Sequence, residues 1–210
     1  EMARLKDQLG LQVINLDSVE ISLTQPELRG EFVRELTNAA VAAQKLGCGR
    51  VTVLSGNDTG RSRSEQRRSI IAGLREAAPI AEAYQVTVVL EASNRRVNRP
   101  NNYLTQADEA FEIIDAVGSD HVKMLYDIYH QQISEGDILA RVLPNLDKIG
   151  HFHASGVPNR HELIPCEINY DFIFRQLAQA GYSGWIGLEY SPAFPPRVGL
   201  EALKPYLELS

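Results

Sequence analysis

Short β-prone apolar runs alternate with longer stretches of helical periodicity along this chain. Residues 11–16 (LQVINL), 50–55 (RVTVLS), 86–91, 122–127, 149–153 and 185–189 each read as a buried parallel strand followed by loop residues. Between them the pattern predicts helices over 26–46, 64–84, 107–117, 137–146, 170–180 and 200–207. Pro26 suits a first turn, Gly47, Gly118 and Gly181 suit C-terminal stops, and Pro79 is expected to kink its helix or split off the last turn. The opening residues 1–5 already fall within a helical pattern.

Strand ends recur every 26 to 39 residues, the spacing of one strand plus one helix, and there are six of them. A closed barrel of such units has eight strands in about 250 residues. The expectation is therefore an α/β fold of the (β/α)8 TIM barrel type, lacking its first two strand–helix units, as one domain over residues 1–210. An open doubly wound sheet is the other arrangement of alternating units. Neither a GxGxxG nor a P-loop pattern is present, which removes the usual nucleotide readings of that sheet.

Composition narrows the picture. The 210 residues are 44% hydrophobic and 23% charged, ordinary for a globular protein. A net charge of −6 gives no basic face for nucleic acid. No apolar stretch approaches the roughly 18–20 residues that cross a bilayer, and no charged-then-apolar leader points to secretion. Cys48 and Cys166 are too few for a disulfide framework and unpatterned for zinc. The expected setting is the cytoplasm, with a small-molecule substrate and neither nucleic acid nor membrane as partner. Barrel edges left by absent strands would favour a homo-oligomer.

The chemistry sits at four successive strand ends: Glu91, Asp127, His153 and Glu189. In a parallel barrel these ends meet on one rim, where active sites form. Three carboxylates and one imidazole suit a divalent ion: Mg²⁺, Mn²⁺ or Co²⁺. Glu91 and Glu189 suit a double role, as ligands and as proton carriers either side of a substrate, while Asp127 and His153 read as ligands only. His130, three residues after Asp127, is placed to reach a substrate hydroxyl, and Arg160 is a candidate for a substrate carboxylate or other polar group. Each has a plainer reading. A strand-end carboxylate commonly caps the next helix or pairs with a buried arginine. Arg160 would then pair with Glu162 or Glu167 on a solvated loop, and either His151 or His153 would be a core histidine. The arginines at 61, 63, 67, 68, 95, 96 and 99 read as solvated.

The stretches LEASN with NRP (residues 90–100), YDIYHQQ (126–132), GHFH (150–153), VPNRHE (157–162), EINY (167–170) and GWIGLEY (184–190) together resemble hydroxypyruvate isomerase-like proteins. These belong to the xylose-isomerase-like TIM barrels, with keto-sugar 3-epimerases among their kin. The resemblance implies Glu91, Asp127, His153 and Glu189 as metal ligands, Glu91 and Glu189 as proton shuttles, and His130 and Arg160 as substrate contacts. It implies a metal-dependent isomerase of a small hydroxy-carbonyl or sugar substrate, interconverting aldose and ketose forms through an enediolate. A keto-sugar 3-epimerase and a non-catalytic binding module are the alternatives. Two departures stand out. Many hydroxypyruvate isomerases carry an amide where His153 stands, and the epimerases tend to carry an acid where Gly156 stands.

Overall fold

The computed structural model describes residues 1–208. Fourteen principal elements follow one another as α1 (Met2–Leu9), β1 (Leu16–Val19), α2 (Arg29–Leu46), β2 (Arg50–Leu54), α3 (Arg63–Ala83), β3 (Thr87–Glu91), α4 (Ala107–Val117), β4 (Val122–Asp127), α5 (Ile128–Ser134), α6 (Ile138–Val142), β5 (Ile149–Ala154), α7 (Tyr170–Gln179), β6 (Ile186–Leu188) and α8 (Pro196–Ala202). The strands form one parallel sheet in sequence order, curled as a TIM-barrel-like half-barrel. Six strands match the sequence count; closure into eight does not occur among the described residues, and β1 and β6 remain edges.

The outward faces of the strands and the helices that cover them share one buried core. Val51, Val53, Val88, Leu90, Met124, Tyr126 and Phe152 cluster with Phe32, Leu36, Ile70, Leu74 and Ile113. Because strand side chains alternate, the positions between these apolar ones turn to the concave side. Pairing fixes their level: Leu54 stands opposite Glu91, Glu91 opposite Leu125, Asp127 opposite His153, and His153 opposite Gly187. Glu91, Asp127, His151, His153 and, two residues past Gly187, Glu189 thereby share one face.

Several boundaries differ from expectation. The first strand is Leu16–Val19, not residues 11–16. Gly10 closes α1 in the left-handed conformation with the Leu11 amide donating to Lys6, and the chain finds its partners only at Leu16 opposite Val51 and Val19 opposite Val53. Pro79 neither splits nor ends α3, which continues to Ala83. The helix expected over 137–146 is shorter, α6 followed by a 3-10 turn over Leu143–Lys148, where Pro144 lacks an amide proton. α5 was unforeseen; it starts on the residue after β4 because the Asp127 side chain caps its first turn. The last helix starts earlier, at Pro196, because that proline sits in the first turn where its missing N–H is harmless. β5 runs one residue past His153, and β6 ends before Glu189. Among the described residues no helix is long and apolar enough to cross a membrane.

Candidate functional site

Asp127 is the pivot of the site. It is fully buried, and its Oδ1 accepts the amides of Tyr129 (2.8 Å) and His130 (3.2 Å). The expected plain role as a helix cap is therefore real, but it uses one oxygen only. The other, Oδ2, accepts from Arg160 Nη2 at 3.0 Å.

Arg160 is not on a solvated loop paired with Glu162 or Glu167. Its Nη2 bridges Asp127 Oδ2 and Glu189 Oε2, the latter at 2.8 Å, and its guanidinium lies 4.8 Å over the Tyr129 ring. The backbone makes this reach by an unusual path: Asn159 and Arg160 both adopt left-handed conformations, φ 75° and 58°. Two consecutive non-glycine residues in that region store strain that the surrounding structure must hold, a frequent mark of functional loops. Gly156 lets the loop fold back, since a Cβ there would lie 2.2 Å from the Glu162 carbonyl oxygen.

His130 is buried and held from below by Asn94, whose Nδ2 lies 2.7 Å from Nδ1 and whose backbone amide lies 3.3 Å away. Those donors make Nδ1 the acceptor and put the ring proton on Nε2, which faces Glu91 Oε1 at 3.5 Å. Arg160 Nη1 stands 2.8 Å from the same Nε2, a donor facing a donor. Burial pushes His130 down to about 4, so the ring is neutral at physiological pH. Of the two β5 histidines, His151 is buried with Nδ1 unpartnered among the described residues, and burial and the neighbouring His153 lower it to about 4. His153 Nδ1 lies 2.6 Å from Glu189 Oε2, not aligned as a hydrogen bond. Burial would lower His153, and Glu189, Asp127 and Glu91 outweigh it and raise it.

The two glutamates differ sharply. Glu91 is pushed up to about 8, first by burial and then by the charges of Asp127 and Glu189. Glu189 is nearly half exposed; burial works against its charge, but His153 and Arg160 hold it at about 2. Paired carboxyls whose environments drive them apart are the usual arrangement of an acid beside a base.

The expected ligands come together as two overlapping sets rather than one. Asp127, His153 and Glu189 offer ligand atoms all within 4.8 Å of one another, and Glu91, Asp127 and His130 form a second such set. Oxygen-rich donors with one imidazole fit a hard or borderline divalent ion. Sequence reasoning missed Asn94, Tyr129 and Glu162. Asn94 lay hidden in an Asn-rich loop, and the other two act through contacts some 30 residues away. The remaining arginines sit as expected on exposed surface, Arg61 with Glu27 (2.9 Å), Arg67 with Glu112 (2.8 Å) and Arg95 with Asp58 (3.2 Å).

Comparison with known proteins identifies the family of this chain. Residues 1–206 match the family described as xylose isomerase-like TIM barrel. The chain is 37% identical over 186 residues to the 2-oxo-tetronate isomerase of Cupriavidus necator, covering 87% of this chain and 69% of that protein. It is 34% identical over 180 residues to the hydroxypyruvate isomerase of Escherichia coli, covering 85% and 69%. The crystal structure of an AP endonuclease, family 2, from Brucella melitensis superposes with a TM-score of 0.92 at 28% identity, covering 98% of this chain and 82% of that one. The chain belongs to the xylose isomerase-like TIM barrel family. Within it, the protein is an isomerase, in keeping with its relatives.

Proposed function

We propose that this protein interconverts the aldehyde and ketone forms of a small hydroxy-carbonyl acid of the hydroxypyruvate or 2-oxo-tetronate kind. The observation that carries the reading is the convergence of Glu91, Asp127, His153 and Glu189 on one face, with Arg160 bridging Asp127 and Glu189. A divalent ion, Mg²⁺, Mn²⁺ or Co²⁺, held by Asp127, His153 and Glu189, would supply Lewis-acid polarisation of the substrate oxygens. The ionised Glu189 takes the proton from the carbinol carbon. Glu91, across the site and protonated, delivers its proton to the neighbouring carbon while the hydroxyl proton of the first carbon passes to the oxygen of the second, and the two glutamates exchange roles in the reverse direction. His130 donates from Nε2 to a substrate oxygen. Arg160 Nη1, 2.8 Å from His130 Nε2, is the guanidinium nitrogen left to meet the substrate's carboxylate or carbonyl.

The same ligands would serve a 3-epimerase of a keto sugar. The crowding at Gly156 favours the isomerase, since the acidic side chain that the epimerases tend to carry there has no space. The test is exchange of carbon-bound hydrogen of hydroxypyruvate with D2O, followed by NMR with product analysis. Glu91→Gln and Glu189→Gln should each slow exchange by at least about 10²-fold, the scale of a lost acid–base group. Full-rate exchange in either variant would end the mechanism, and inversion of a carbinol centre without carbonyl movement would establish the epimerase.

A further inference from the structure

Glu189 is awkwardly placed for a group that must stand within 3 Å of Arg160. It lies beyond the end of β6, an edge strand of three residues, and its own amide donates to Ala154 at 3.1 Å. The next segment is bound instead to the loop that carries Arg160. Ser191 donates its amide to the Arg160 carbonyl at 2.9 Å, and His161 Nδ1 lies 2.8 Å from the Ser191 carbonyl oxygen. Glu162 is then the largest commitment. The residue is 4% exposed, and among the described residues its carboxylate forms no ion pair within 4 Å. Both its oxygens lie 3.1 Å from the Ala193 amide, and Oε1 also accepts from Phe194 at 3.0 Å. Three consecutive residues of one loop thus hold Ser191, Ala193 and Phe194 of the other. Gly199 of α8 closes over the joint, with room for no Cβ: one would lie 2.9 Å from Glu162 Cγ. A buried carboxylate without a cation is expensive unless its hydrogen bonds are essential to something.

We propose that Glu162 is a positioning residue of the isomerase centre: by gripping the Ala193 and Phe194 amides it fixes Glu189 against Arg160 and His153, without touching the substrate. The proposal rests on Glu189 as a proton carrier. Glu162→Gln keeps the shape and turns an amide NH2 toward backbone donors, so the grip fails on one side. Displacing a proton carrier by about 1 Å costs up to about 10²-fold in rate. The expected result is a fall in kcat of about ten- to a hundredfold on hydroxypyruvate, with KM changing less than about threefold, and faster amide hydrogen exchange at Ala193 and Phe194. A purely structural role would lower the melting temperature and leave kcat per folded molecule unchanged, which would overturn the proposal; so would unaltered protection of both amides. Should the amide variant not fold, Glu162→Asp carries the same test, since it keeps the charge but withdraws it by one methylene. Full exchange in Glu189→Gln would sink the proton-transfer reading by itself, while the amide protection of the Glu162 variants still judges whether the grip exists.

Discussion

At the residue level, the site is organised by charge compensation. Arg160 neutralises two carboxylates at once, and truncating it leaves Asp127 buried beside Glu189 and Glu91 with no cation between them. Arg160→Ala should raise the Glu189 carboxyl from about 2 and lower kcat/KM by about 10²-fold or more, seen in NMR titration and steady-state rates. The buried groups also set a pH signature for the metal-free protein. His130 and His151 resist protonation down to about 4 in the fold, against 6.5 in the unfolded chain, so their contribution is full above 6.5 and is lost as pH falls toward 4. Glu91 runs the other way: its carboxyl sits at about 8 against 4.5 unfolded, so its contribution is lost as pH rises through 8. Urea midpoints should therefore peak near pH 6.5 and decline toward pH 8, and Glu91→Gln should reduce that decline, leaving the part that comes from the raised His153. Glu91, Asp127, His153 and Glu189 were legible because each closes an apolar run. Glu162 and Asn94 were not, because their partners at 193–194 and 130 meet them only once the chain is folded.

At the scale of elements, local signals succeeded where the cause is local. α4 and β4 fall on their expected residues, and Gly47 and Gly118 end their helices in the left-handed conformation the pattern implied. β1 was displaced because its place depends on Val51 and Val53, some 35 residues away, and α5 was hidden because its cap is a residue already assigned to the site. The Ser62–Glu65 capping box that starts α3 is reciprocal, with Ser62 accepting from the Glu65 amide and Glu65 from the Ser62 amide. Ser62→Ala should cost about 1 kcal/mol in chemical denaturation and leave activity unchanged, since α3 supports the sheet from outside. The loop after β5 is less forgiving. Gly156→Asp would drive a Cβ into the Glu162 carbonyl, so activity should fall at least about tenfold even where circular dichroism shows a folded protein.

For the molecule as a whole, the repeat of strand and helix made the barrel family readable in the sequence, since parallel strands need crossover helices and their C-terminal ends must share a rim. How the sheet ends was not readable, because edge behaviour depends on what lies beside β1 and β6 rather than on their own residues. What matters for function is that the half-barrel already gathers three carboxylates and an imidazole on its concave face. The most direct test is a Mn²⁺ titration followed by electron paramagnetic resonance. One tight site is expected in the wild-type protein, lost in Asp127→Asn because Asp127 belongs to both ligand sets. Absence of Mn²⁺ binding in the wild type, or an undiminished site in Asp127→Asn, would contradict the account.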